Sequence, residues 1–162
     1  MGSQGTSGLE EMLVGSNTEK VVRNSKVPVL VIKHEIDNFK IENIVFASNF
    51  EQENKGAFQN ILNFSRLFNA KLHLLKINTI HNFETTKESS DAIRNFINNF
   101  DLGDYYLNIY NDVSVEAGIL NFANIIDADI ILLNTSGRHG LAHLFTGSVG
   151  EGLANHAKLP VI

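Results

Sequence analysis

The chain of 162 residues has no cysteine, which excludes disulfides and thiolate metal sites and leaves the cytoplasm as the expected setting. No apolar run approaches the roughly 18–20 residues needed to span a bilayer. The polar, glycine-containing start lacks the apolar core of a signal peptide. Cations are few and scattered, 13 Lys and Arg against 18 Asp and Glu, for a formal net charge of −5. A nucleic-acid groove needs clustered cations to neutralise phosphates, so neither nucleic acid nor a membrane is an expected partner. Carboxylates are dispersed with no pair spaced for general acid and base work, and Ser148 has no evident base partner; no catalytic residue is assigned. Proline occurs only twice, at Pro28 and Pro160, and both belong to one pattern.

That pattern is an internal repeat. Gly5, Gly8 and Leu9 return as Gly137, Gly140 and Leu141; Gly15-Ser16 returns as Gly147-Ser148; Glu19, Lys26 and Pro28-Val29 return as Glu151, Lys158 and Pro160-Val161. Every pair keeps one offset of 132 positions, as from 5 to 137 and from 28 to 160. Identities in one uninterrupted register imply two copies of a structural unit. The offset is the size of a domain, and only the second copy has a whole domain before it. The expected organisation is a C-terminal remnant of a first domain over 1–33, a linker over 34–38, and a domain over 39–162. Met1-Gly2-Ser3-Gln4-Gly5-Thr6 also fits a loose myristoylation pattern, but from Gly5 onward the repeat already accounts for it as domain sequence.

Within the second unit, buried-type strands alternate with amphipathic helices. Ile44–Ala47, Leu72–Ile77, Tyr105–Tyr110 and Ile130–Leu133 read as strands. Helical spacing relates Ala57, Phe58, Ile61, Leu62, Phe64 and Phe68, then Ala92, Ile93, Phe96, Ile97 and Phe100, then Ile119, Leu120, Phe122, Ala123 and Ile126. A glycine loop, a fourth helix near Ser148–His156 and a last strand at Pro160 complete the unit. Such alternation predicts an α/β fold, a parallel sheet with helices on both faces and right-handed crossovers. Ligands of such sheets bind beyond the carboxyl ends of the strands, which directs attention to the loops after Ala47, Ile77 and Leu133. The first copy reads as glycine loop, helix and the apolar strand Val29–Ile32. That strand cannot be stable alone and is expected to pair beside the last strand of the second unit or to complete another chain.

The glycine loops carry two readings. Small residues there either shape a turn and cap a helix, or let backbone N–H groups and a helix N-terminus cradle a phosphate, with Ser148 donating its hydroxyl and Arg138 binding bidentately. Neither a Walker loop nor the dinucleotide fingerprint is present. His139 and His143 stand four apart, but no acidic third ligand accompanies them, and no metal site is assigned.

Gly2, Gly5, Gly15 and Ser16 form Gly-x2-Gly-x9-Gly-Ser, which resembles the ATP-binding motif of the universal stress protein family. Lys26–Val31 is similar to that family's closing strand, Ala47-Ser48-Asn49-Phe50 to its first strand and loop, Ala70–Leu75 to its second strand, and Asp127–Ile131 to the lead into its fourth. The resemblance implies a flavodoxin-like, Rossmann-like open parallel sheet of five strands, in the order 3-2-1-4-5, often dimeric, here through last-strand edges. It implies ATP, with Mg, as the ligand of nucleotide-binding members. The nucleoside would meet Ala47, Ser48, Asn49 and Ile77. The phosphates would meet Asn134, Gly137, Arg138, Gly140, Gly147, Ser148 and Val149. Asn49 stands where binders carry Asp, and it brings no charge and one acceptor oxygen; Asn134 replaces the first motif glycine. Two functions therefore stand side by side: a non-enzymatic stress-response module with an adenine-nucleotide pocket, or an interaction and dimerisation module whose pocket is vestigial.

Overall fold

The computed structural model describes residues 21, 25, 27–33, 40–52, 55–133, 153 and 156–162. Over these, strands and helices alternate: β1 (Asn43–Ala47), α1 (Lys55–Phe68), β2 (Lys71–Asn78), α2 (Thr86–Ile97), β3 (Tyr105–Asn111), α3 (Val115–Ile125) and β4 (Ile130–Leu133). The four strands are parallel in the order β3-β2-β1-β4, the arrangement expected for the first four strands. Their registers set Ala47 opposite both Leu75 and Leu133, and Ile77 opposite Tyr110.

The side-chain alternation of a strand divides the core into two layers. Ile44 and Phe46 of β1 join Leu72 and Leu74 of β2 on the face covered by α1 and α2; Val45 and Ala47 join Leu75 and Ile77 on the face covered by α3. The first layer is rich in phenylalanine. Phe58 is fully buried, with its ring centroid 5.1 Å from those of both Phe46 and Phe96, and Phe50 meets Phe96 edge to face at 5.5 Å.

Local chemistry sets the helix ends. Thr85 and Glu88 form a reciprocal capping box on α2: the Glu88 N–H donates to Thr85 Oγ1 and the Thr85 N–H to Glu88 Oε2. These Thr85 hydrogen bonds hold the Glu88 carboxyl below its ordinary range. Ser114 caps α3 by accepting from the Ala117 N–H at 3.1 Å. Asn69 and Asp127 follow α1 and α3 with φ of 51° and 50°, a backbone that Asn and Asp tolerate better than most residues. Capping brings α2 and α3 into being well before the apolar spacing of their sequences begins, at Thr86 rather than Ala92 and at Val115 rather than Ile119.

Beyond β4 the hydrogen bonding continues. The Ile131 N–H donates to Pro160 O, Ile162 N–H to Ile131 O and Leu133 N–H to Ile162 O, at 3.0, 2.9 and 2.7 Å. Val161 is in turn paired antiparallel with Val31, each N–H donating to the other's carbonyl at 2.8 and 3.1 Å. Both pairings are single-residue bridges, shorter than the strands proper. Leu153 and His156 are helical, while the rest of the helix expected near Ser148–His156 lies outside the described residues. The His156 ring Nδ1 lies 2.6 Å from Glu116 Oε1 and so ties that segment to α3.

One carboxylate joins the amino ends of β1 and β4. Asp129 Oδ2 accepts from the backbone N–H groups of both Glu42 and Asn43 at 2.8 Å, and the Asp129 N–H donates to Asn43 O at 3.0 Å. Hydrogen bonds to a charged group contribute more than neutral ones, and an abandoned partner adds a desolvation cost. Asp129→Ala is expected to lower stability by about 2 kcal/mol, read from the midpoint of urea unfolding at unchanged slope.

Candidate functional site

Because the strands are parallel, their carboxyl ends lie along one edge of the sheet, and the loops after β1, β2 and β3 rise from it. Ala47 and Ile77 are buried there in the same layer, within reach of α3. In the register of β1 on β2, Ala47 pairs with Leu75, and Ile77 stands two residues further along β2.

The loop after β1 is held from within. The Ser48 N–H donates to Leu75 O at 3.2 Å, the Ser48 hydroxyl accepts from the Phe50 N–H at 3.0 Å, and Asn49 Oδ1 accepts from the Glu51 N–H at 3.4 Å. Phe50 has φ of 60° while its ring is buried among Phe46 and Phe96. A positive φ at a bulky residue is an outlier that persists only where surrounding packing over-determines it. The buried ring supplies that constraint, and it turns the backbone so that Asn49 is exposed at the edge. Asn49 thus brings a single acceptor oxygen, and that oxygen already serves the loop.

A polar cluster that sequence reasoning missed fixes the loop after β2. Lys76 is buried and forms an ion pair of 2.7 Å with Glu84; Ser89, fully buried, approaches Glu84 Oε2 at 2.9 Å and Asn78 Oδ1 at 3.3 Å; Asn78 Nδ2 donates to Glu84 O at 3.0 Å. Lys76 beside Glu84 holds its carboxyl below the usual range, with the Ser89 hydroxyl adding to the effect against the opposing pull of burial. A signal was present in the sequence: a lysine inside an otherwise apolar strand is almost never fully buried without a partner. The partner, eight positions on, could not be read from spacing. The Asp112 N–H completes the edge by donating to Asn78 O at 3.0 Å.

Behind Ile77 stands Gly118 of α3. A Cβ at Gly118 would lie 2.8 Å from Ile77 Cγ2 and 3.2 Å from Asp112 Cβ, so the absent side chain sets how closely α3 approaches the site. Farther down the same face lies His73, buried within β2. Its ring stacks on Tyr106 at 4.8 Å, and neither buried nitrogen has a hydrogen-bond partner. Burial, and secondarily the charge of Lys71, lowers its pKa from 6.5.

Asn134, Gly137, Arg138, Gly140, Gly147, Ser148 and Val149 lie outside the described residues, whereas Ala47, Ser48, Asn49 and Ile77 lie within them. Among the described residues, no three His, Asp or Glu side chains converge as a metal site.

The sequence profile of the Universal stress protein family matches residues 1–33 and 109–162, more than half of the chain. The chain belongs to the universal stress protein family. The two matched segments contain both copies of the repeat. None of the proteins of curated function matches significantly. Solved structures share the fold. A universal stress protein from Archaeoglobus fulgidus DSM 4304 is 22% identical with a TM-score of 0.72, covering 99% of this chain and 57% of its own; the present chain thus spans little more than half of that protein. Universal stress protein UspA from Lactobacillus plantarum is 19% identical with a TM-score of 0.60, covering 77% of this chain and 98% of its own. A universal stress protein solved in complex with cAMP is 16% identical with a TM-score of 0.55, covering 76% of this chain and 95% of its own.

Two expectations follow from the site. Gly118→Ala gains about 1 kcal/mol of helix propensity but over-packs Ile77 and Asp112 at a cost of roughly 1–3 kcal/mol. The net result is a modest loss of stability, visible as a lowered thermal midpoint. For His73, the folded chain refuses a proton that the unfolded chain accepts. Its contribution is therefore full above pH 6.5 and declines as pH falls from there toward the depressed folded value. His73→Leu is expected to flatten the pH dependence of the urea midpoint in that window.

Proposed function

We propose that the chain is a non-enzymatic, cytoplasmic regulatory module that takes an adenine nucleotide, ATP with Mg in the first instance, at the carboxyl edge of its sheet. The observation that carries this reading is the juxtaposition of Ala47 and Ile77 in one buried layer, beside a Ser48–Asn49 loop locked by its own hydrogen bonds. Ala47 and Ile77 offer an apolar wall to a base, and the rigid loop offers polar groups to a sugar without an ordering cost. The complex of a relative of the same fold with cAMP supports this choice of ligand class. The phosphates would fall to Gly137, Arg138, Gly147 and Ser148, the positions that the resemblance to the family's motif implies, since glycine-rich sequence of this kind suits an anion.

Thermal melting with Mg-ATP, AMP or cAMP tests the reading. A ligand that binds only the folded state raises the midpoint by mass action, about 2.7 kcal/mol at a hundredfold excess over Kd. Asn49→Asp is expected to tighten binding several-fold, because a carboxylate serves the Glu51 N–H with one oxygen and a ribose hydroxyl with the other. No shift at millimolar concentrations of any of the three nucleotides overturns the proposal.

The antiparallel pairing of Val31 with Val161 favours a second reading, in which the pocket is vestigial and the last strands serve assembly. On this reading 29–32 is the last strand of a preceding unit. Exchange of that segment between two copies gives a dimer through last-strand edges.

A further inference from the structure

The sheet has two ends, and they are finished differently. Beyond β4, the edge of Val161 is occupied by Val31. At the other end, β3 is the outermost strand, and no described residue pairs with its outer side. The direction of its free groups can be read from the ladder. The Asp112 N–H donates inward to Asn78 O, and strand groups alternate, so the even-numbered residues of β3 bond to β2 while Tyr105, Leu107, Ile109 and Asn111 turn their N–H and C=O groups outward.

Natural edge strands are protected by shortness, lysine or proline. β3 has none of these: it runs for 7 residues, Tyr-Tyr-Leu-Asn-Ile-Tyr-Asn, without a charge or a proline. Tyr105 and Tyr106 are 42% and 49% exposed. The strand is also nearly symmetric about its centre. Laid antiparallel on a second copy through a twofold axis at Asn108, it sets Leu107 opposite Ile109, Tyr106 opposite Tyr110, Tyr105 opposite Asn111, and Asn108 opposite itself. In this register the outward-facing residues form the hydrogen-bonded pairs, and the tyrosines form the closer, non-hydrogen-bonded pairs in which aromatic side chains interact best. A twofold interface requires one patch to complement itself, and this strand does so without opposing like charges along its length. Only the flanking Asp104 and Asp112 meet across the axis.

We propose that the outer edge of β3 is a self-association surface, on which two copies of the chain join antiparallel about Asn108 into one continuous sheet. This is independent of nucleotide binding and uses the edge opposite to Val161. Sedimentation of the full chain up to about 1 mM is expected to show a dimer strengthened by salt, which screens Asp104 from Asp112. Amide hydrogen exchange on the unmodified chain is expected to slow with concentration at Leu107 and Ile109, while Tyr106 and Asn108 stay at their monomer rates. Tyr105→Pro with Asn111→Pro removes outward donors without touching the bonds to β2, and is expected to weaken the dimer at least about tenfold at unchanged circular dichroism. A chain that stays monomeric throughout overturns the proposal, as does a dimer whose Leu107 and Ile109 amides exchange as in the monomer.

Discussion

The structure depends on β1 being buried on both faces. Ile44, Val45 and Phe46 are wholly inaccessible and Ala47 almost so, and the strand lies between β2 and β4, with Ile44–Ala47 paired in parallel on both sides. A strand in that position cannot be covered from one side only. Parallel neighbours require crossover connections, and the helices that make them must land on both faces. The two-layer core, the placement of α1 and α2 opposite α3, and the gathering of strand ends at one edge follow from this constraint. Asp129 secures it at the amino end, where a single carboxylate oxygen serves two backbone donors of the chain leading into β1.

The carboxyl edge is organised differently, by polar groups satisfied within each loop. Ser48 and Asn49 spend their side chains on the loop after β1, and Lys76, Asn78, Glu84 and Ser89 spend theirs on the loop after β2. Buried polar networks that are fully paired rigidify what they connect. The same economy accounts for Phe50, whose strained backbone is held by its ring in the phenylalanine layer.

The two ends of the sheet differ as well. At one end Val31 pairs with Val161, a contact between the two copies of the repeat. The other presents β3, whose outward backbone groups and uncharged side chains leave it open to a further strand.

Much of the fold was legible in the order of residues. Continuous apolar runs such as Ile44–Ala47 and Ile130–Leu133 mark doubly buried strands, and the Phe and Ile spacing of α1 marks a helix, because burial periodicity is a property of the local chain. Strand alternation with helices implied the parallel sheet, and the repeated glycine, serine and proline positions led to the family. Ala47, Asn49 and Ile77 were placed at the sheet edge by the same reasoning. What depends on contacts between distant segments was not legible. The pairing of Lys76 with Glu84, the approach of Gly118 to Ile77, the positive φ of Phe50 and the unpartnered nitrogens of His73 arise only once separate elements meet. Sequence alone determined which segments must be buried and therefore the class of sheet. Only tertiary packing decided how the edge loops are held and which side chains stay exposed there, because those outcomes depend on through-space distances that spacing along the chain does not encode.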